Sequence, residues 1–445
     1  MGSIDNRTVV LSTSRTPFGK LGGALSSLPA TALGAVALAA AIERANLDPS
    51  DVEHVIMGQV LQAGAGQNPA RQASFQAGLA KTVTAETVNK VCASGLLAVA
   101  NAMRLIDAGA NRVVAAGGME SMSNAPYLLK DARFGYRFGD GTLIDAMISD
   151  GLWDSYFAMT MSVQGSIVAG ELGTTREEQD GFAYESHHRA HSSHQSGHFD
   201  AEIVPIKVAS KARGKVVVDR LPRRGTARVP ATVGGGAAGN HQPSERFTLD
   251  YATYSPFVTG DVANTLVDRD EAVRPDTSLE TLAKLKPLEK GGTITAGNAP
   301  GVNDGAAALV LAHADYAKAH GLTPLASIED HATVGWDSPY IALTPAMAAQ
   351  QLLDKHGLSR NDVHVWEINE AFAAVAITSA LKLGIDLADV NRHGGAVAMG
   401  HPIGASGARI VGAVINQLRK RGGGVGIAAI CSGGGQGDAL LIRVE

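Results

Sequence analysis

The chain has two cysteines in 445 residues, Cys92 and Cys431. Cys92 sits in Val-Asn-Lys-Val-Cys-Ala-Ser-Gly-Leu, where an apolar, strand-like approach gives way to a helix. A helix N-terminus carries positive potential and spare N–H donors. Both favour a thiolate, so the thiol pKa is expected to fall below its ordinary value of about 8.5. An inert cysteine packed as a small hydrophobe fits the same local sequence. His401 sits in Gly-Gly-Ala-Val-Ala-Met-Gly-His-Pro-Ile-Gly-Ala-Ser-Gly. Gly394, Gly395, Gly400, Gly404 and Gly407 are denser than packing alone requires and suggest a backbone folded tightly around something. A histidine beside a thiol is its usual activating base. A lone histidine is otherwise a hydrogen-bonded structural residue, and here the glycine setting favours the base. Cys431 ends a buried strand, Ile-Ala-Ala-Ile-Cys, and enters the turn Ser-Gly-Gly-Gly-Gln-Gly. Free N–H groups at such a tip suit an oxyanion or a proton-carrying thiol. Asn369 and Glu370 follow Val-His-Val-Trp-Glu-Ile and precede a helix. Open α/β sheets place ligands where strand ends face helix starts, although Asn369 also fits a helix N-cap.

These segments are positioned by elements that repeat. Residues 37–59 and 348–370 each read as an amphipathic helix, a Leu-containing turn (Leu47, Leu358), then Asp-Val and an alternating strand. Asp51 matches Asp362 and Val52 matches Val363, an offset of 311. A second pair, opened by Ala93-Ser94-Gly95 and by Ala405-Ser406-Gly407, follows at an offset of 312. Each gives a helix of about four turns, a Gly-containing turn and a strand of small and β-branched residues. Two matches, in order and at one spacing, imply a duplicated α/β lobe with helices flanking a mostly parallel sheet in each half. Gly404 then stands where the first half has Cys92, so His401 falls just before the matching helix start. Symmetric packing of the halves would aim both helix ends at one pocket.

The remaining composition narrows the function classes. Charged residues are 18 % and apolar residues 45 %, a globular balance. A length of 445 residues implies two or three packed lobes. A net charge of −5 argues against a general nucleic-acid binder. Two cysteines make no disulfide framework and point to a reducing compartment. No apolar run reaches membrane-spanning length and no secretory signal opens the chain. Neither a myristoylation site nor a peroxisomal address is found, so the cytoplasm is the expected location. No metal-ligand spacing occurs. Residues 121–295 differ from both halves in being richer in charge, His, Arg and Gly. Within them, 210–245 reads as surface loop, and Arg223-Arg224 as a solvated pair.

Taken together, the segments resemble the thiolase family. Asn89-Lys90-Val91-Cys92-Ala93-Ser94-Gly95 resembles its nucleophile motif, and Gly117-Gly118-Met119-Glu120-Ser121-Met122-Ser123 the strand and turn that follow. Asn369-Glu370-Ala371-Phe372-Ala373, Gly394 to Gly407 around His401, and Cys431 to Gly437 resemble its Asn-Glu-Ala-Phe, histidine and second-cysteine motifs. Gly297-Asn298-Ala299-Pro300-Gly301 through Ala306 resembles a stretch beside the coenzyme A pocket. The resemblance runs from Val9 to the C-terminus, with a gap in the middle.

It implies the thiolase fold: two similar α/β lobes of βαβαβαββ type with an inserted loop domain. Residues 1–120 completed by 296–318 would form the N-terminal lobe, 121–295 the loop domain with an extended segment near 218–266, and 319–445 the C-terminal lobe. It implies acyl transfer to and from coenzyme A through a Cys92 thioester, with His401 activating Cys92 and Cys431 moving a proton. One oxyanion hole would use His401 and a water on Asn369, the other the N–H groups of Cys92 and Gly433, each worth on the order of 3 kcal/mol. Met161, Ala296, Pro300 and Phe372 would lie along the substrate. Coenzyme A enters as substrate, no cofactor is held tightly, and a homo-oligomer, dimer or tetramer, is expected.

Three departures from the family pattern stand out. Thr160 replaces a histidine on the pantetheine side, Pro300 replaces a serine that bonds coenzyme A, and the segment near 218–266 is longer than usual. Among relatives of the same fold, decarboxylating ketosynthases carry a histidine where Cys431 stands, and hydroxymethylglutaryl-CoA synthases lack the double-cysteine arrangement. An inactive thiolase-like binding protein would have no reason to keep Cys92, Asn369, His401 and Cys431 together. Lys130 to Asp140 and Asp150 to Asp154 resemble acetyl-CoA acetyltransferases, in which this loop also ties dimers into tetramers. Gln436 and the 160–167 run resemble degradative 3-ketoacyl-CoA thiolases. The expected activity is the short-chain one, reversible condensation of two acetyl-CoA to acetoacetyl-CoA.

Overall fold

The computed structural model describes residues 8–209 and 264–445. The first half contributes β1 (Thr8–Arg15), α1 (Ala30–Arg44), β2 (His54–Gly58), α2 (Pro69–Gln76), β3 (Thr84–Val88), α3 (Ser94–Asp107) and β4 (Val113–Ser121). An intervening region carries α4 (Met161–Glu171) and α5 (Arg176–Gln195), after which β5 (Asn303–His313) returns to the sheet. The second half follows as β6 (Ala326–Gly335), α6 (Thr344–His356), β7 (Val365–Ile368), α7 (Ala373–Leu383), a short α8 (Ala396–Met399), α9 (Ser406–Arg421), β8 (Gly424–Ser432) and β9 (Gln436–Val444).

All these strands form one sheet in the order β7-β8-β9-β6-β1-β5-β4-β2-β3. Each half has the same order, read outward from a central seam where β1 meets β6. The seam is short, pairing Val9 with Ser327 and Val10 with Ala326. The duplication extends to detail. The 3₁₀ turns before β2 and β7 both carry a capping box, Asp48 with Asp51 and Ser359 with Asp362. The third strand of the second half is reduced to a single parallel bridge between Trp366 and Val390.

The sheet is not mostly parallel, as the sequence suggested. Only β3-β2-β4 and β7-β8 run parallel; the other pairings are antiparallel. The reason is the last strand of each half. Parallel neighbours need a crossover, whereas β8 returns to β9 through Gly433-Gly434-Gly435. Gly434 and Gly435 sit at φ 77° and 67°, which side chains disfavour.

Successive strand residues point to opposite faces, and both faces are buried. Val9, Leu11, Val113 and Val310 pack outward against Leu33, Ala37 and Leu38 of α1. Val10, Val114, Leu309, Ile430 and Leu440 pack inward against Leu96 and Val99 of α3 and Ile410, Val411 and Val414 of α9. On the outer face of the second half, Ile427 and Leu441 pack against Leu352 and Leu353 of α6. Helices α3 and α9 therefore lie back to back between the halves, and glycine permits it. A Cβ on Gly95 would sit 2.8 Å from the Gly404 oxygen, and one on Gly407 or Gly118 would overlap backbone outright.

The intervening region is anchored by a buried arginine. Arg15, at the end of β1, donates to Glu202 at 3.0 Å and to both oxygens of Asp270 at 2.7 and 3.0 Å. Burial disfavours the Asp270 carboxylate, but the Arg15 charge and the bond from His194 outweigh it and hold its pKa well below the carboxylate range. Removing one partner of such a buried pair costs about 3–5 kcal/mol. The extended segment expected near 218–266 lies outside the described residues up to 263, as does Arg223-Arg224. Among the described residues, no helix is long and apolar enough to cross a membrane.

Candidate active site

Cys92 lies on the link between β3 and α3, two residues before the helix starts. Side chains at both ends fasten this link. Asn89 Oδ1 accepts from Val91 N at 2.9 Å; Ser94 Oγ accepts from Lys90 N at 2.8 Å and donates to the Val91 oxygen at 2.6 Å. Val91 is held at φ 44°, a conformation β-branched residues avoid. Cys92 is half-buried and packs with Val60, Leu61, Met122 and Ile403. Ile403 comes from the His401 loop of the other half, so the two helix starts do converge. A side chain at Gly433 would meet Val91 at 3.3 Å, so the turn after Cys431 lies against the Cys92 link, where the Gly433 N–H favours a Cys92 thiolate. Both sulfurs and the glycine turn thus share one site.

The expected low thiol pKa is not found. Burial of the sulfur pushes Cys92 up to about 12, with the nearby Glu120 charge in the same direction; its own N–H and that of Gly433 pull it down but do not win. Helix-end potential is a local effect, and desolvation here exceeds it. Burial likewise raises Cys431 well above an ordinary thiol, reinforced by Cys92. It pushes His401 down to about 3, assisted by the Arg409 charge. In the free protein all three groups are uncharged.

The tautomer of His401 follows from its neighbours. Ser406 Oγ donates to the Pro402 oxygen at 3.0 Å, so it accepts from His401 Nδ1–H at 2.6 Å. The free lone pair is on Nε2, a buried atom without a partner among the described residues. The loop is pinned where Asn303 Oδ1 accepts from His401 N at 2.9 Å and where Glu120 accepts from Gly404 N at 3.0 Å. Glu120 also takes the N–H groups of Val60 and Leu61, so one carboxylate ties the Cys92 side to the His401 side. Asn369 is fully buried, and neither of its side-chain amide atoms has a partner among the described residues. It is not an N-cap, because α7 is preceded by Phe372 with no side-chain cap. Unpaired buried polar atoms are rare in native proteins and call for an explanation; a substrate oxygen or a water would satisfy these.

The family model described as "Thiolase, N-terminal domain" matches residues 8–227 and 256–315, and "Thiolase, C-terminal domain" matches 322–444. The chain belongs to the thiolase family.

It is 42 % identical to the acetyl-CoA acetyltransferase of Cupriavidus necator over 436 residues, covering 98 % of each chain. It is also 42 % identical to that of Escherichia coli over 437 residues, again covering 98 % of each. Among solved structures, the Bacillus anthracis acetyl-CoA acetyltransferase superimposes with a TM-score of 0.85 at 35 % identity, covering 99 % of both chains.

The other expected site residues of this thiolase divide. Phe372, Met161 and Cys431 share one apolar cluster with Ala299, Val168 and Ile341. Ala296 is exposed and Pro300 half-buried, and neither joins that cluster; Ala299 lies there instead. Thr160 donates to Glu289 at 3.1 Å and bonds Ser162 at 2.8 Å. Sequence reasoning gave no role to Ser406, Asn303 or the Glu120 clamp. Ser406 could have been suspected from its place one turn into the motif after His401; the long-range partners could not.

Proposed function

We propose that this thiolase is an acetyl-CoA C-acetyltransferase, an acyltransferase that condenses two acetyl-CoA to acetoacetyl-CoA or runs the reverse thiolysis through an acyl-Cys92 thioester. The observation that carries the reading is the convergence of the Cys92 and His401 helix starts, where Ile403 packs against Cys92, together with a buried His401 Nε2 that has no partner among the described residues. The relatives at about 40 % identity over the whole chain, named acetyl-CoA acetyltransferases, support the same conclusion.

The proton inventory dictates the order of steps. Cys92 attacks the thioester carbonyl and its proton passes to His401 Nε2. Ser406 holds the ring by Nδ1, so this nitrogen stays turned to its task. The resulting Nε2–H, with a water on Asn369, is placed to receive one oxyanion; the N–H groups of Cys92 and Gly433 receive the other. The departing coenzyme A sulfur takes the Cys431 proton, which leaves Cys431 a thiolate. That thiolate removes a proton from the methyl carbon of the second acetyl-CoA, and the carbanion attacks acyl-Cys92. Cys92 leaves and recovers its proton from His401, which restores all three groups. No tightly held cofactor enters these steps.

With Cys92 near 12 and His401 near 3, neither group titrates between pH 6 and 9. The rate of Cys92 acylation by acetyl-CoA should therefore vary by less than about threefold across that range. Stopped-flow acylation measures it, and a rise with a midpoint near an ordinary thiol pKa would refute the assignment.

For chain length, the short substrate is favoured. Thiolysis of acetoacetyl-CoA should exceed that of a long-chain 3-ketoacyl-CoA by about tenfold or more in kcat/KM. The reverse preference would make the protein a degradative 3-ketoacyl-CoA thiolase, the reading to which Gln436 and Thr160 lean. The loop domain, 121–295, exposes Tyr127, Phe134, Phe138 and Tyr156, an apolar surface suited to self-association. A homodimer or homotetramer in a reducing cytoplasm is the assembly we infer; a monomer in sedimentation would oppose it.

A further inference from the structure

Behind the two sulfurs runs a line of polar side chains that acyl transfer does not use. Asp438 on β9 is fully buried. It stands in register with Ile430 of β8 and Thr333 of β6, and its neighbour Gly437 pairs with Cys431. Its Oδ1 is 2.8 Å from His331 Nε2. Lys90 Nζ lies 3.0 Å from Oδ1 and 2.7 Å from Oδ2, and donates to Thr333 Oγ1 at 2.6 Å. Arg104 donates to His331 Nδ1 at 2.8 Å. Arginine can only donate, so Nδ1 is the acceptor and the ring proton sits on Nε2, toward Asp438.

Lys90 is two residues before Cys92, and it is held twice. Its ammonium is gripped by Asp438, and its carbonyl accepts from Ser432 Oγ, next to Cys431, at 2.5 Å. Between Lys90 and Cys92 is Val91, at φ 44°. A β-branched residue stays there only when its surroundings enforce it. A carboxylate buried one position from the partner of Cys431 also needs a purpose, because burial penalises it.

We propose that Asp438 is a positioning residue. Through Lys90 it holds the nucleophile link in its strained form against the Cys431 turn, and so fixes the spacing of the two thiols. The inference rests on the reaction assigned above.

The test uses the full-length chain with Asp438→Asn, Lys90→Met and the double variant, assayed by acetoacetyl-CoA thiolysis. Each single change should lower kcat by about 10- to 100-fold, as small misplacements of reacting groups do, with KM within about twofold of the parent. The double variant should be no slower than the worse single, and Lys90→Arg should keep most of the activity. If Asp438→Asn fails to fold, Lys90→Met against Lys90→Arg carries the same comparison. Single variants with unchanged kcat, or effects that multiply in the double, overturn the positioning role alone. A parent protein without acyl transfer overturns the reaction as well.

Discussion

Replacing Cys92 by serine should lower both condensation and thiolysis by about four orders of magnitude or more. The geometry makes the loss large. The base available is His401, whose lone pair on Nε2 is neutral and whose pKa burial pushes down to about 3. So weak a base can share a thiol proton during attack but is poorly matched to an alcohol, whose proton is held far more tightly. The hydroxyl is close to the thiol in size, and the Ser94, Asn89 and Lys90 bonds that shape the link do not involve the sulfur. Circular dichroism and gel filtration should therefore match the parent. Incubation with radiolabelled acetyl-CoA would leave the variant unlabelled. Retention of more than about one per cent of the parent rate would mean that the nucleophile lies elsewhere.

The second large effect separates the sulfurs. In Cys431→Ala, condensation should fall by about 10³- to 10⁴-fold, while Cys92 still becomes fully acetylated on longer incubation. Solvent can protonate a departing thiolate, whereas removal of a proton from carbon is the step assigned to Cys431 in the proposed mechanism. In the proposed mechanism His401 carries the Cys92 proton at that stage. Mass spectrometry of the intact chain after acetyl-CoA treatment reads the first half-reaction; acetoacetyl-CoA formation reads the second. Equal losses in both, or condensation that persists, would remove Cys431 from its role as the carbon acid–base group.

Much of this was legible in the sequence because the duplicated halves preserve local signals. Helical spacing that changes to strand alternation, the Asp-Val after each turn and the Ala-Ser-Gly helix starts all survive, and the structure adds matching capping boxes at Asp48 and Ser359. The glycines around His401 marked close backbone approach, and Gly404 and Gly407 do meet α3 and β4 there. What could not be read depends on partners distant in the chain. The expected fall in the thiol pKa did not anticipate burial by residues distant in sequence; Cys92 packs with Val60, Leu61 and Ile403. The sheet was expected to be mostly parallel because helix–strand alternation is visible, whereas the antiparallel return of β5 after an excursion of some 180 residues is not. Ala296, named for the substrate path, is exposed, while Ala299, three positions on, falls in the apolar cluster that holds Cys431.

The seam between the halves has a consequence for heat tolerance. Only two residue pairs join β1 to β6, so the halves are joined mainly away from the strands, by α3 and α9 side chains meeting across the centre and by polar ties such as Lys90–Asp438 and Glu120–Gly404. Cys92 belongs to one half, and His401 and Cys431 to the other. A slight parting along this line would separate the reacting atoms long before either half melts, so on warming turnover should vanish first and secondary structure later.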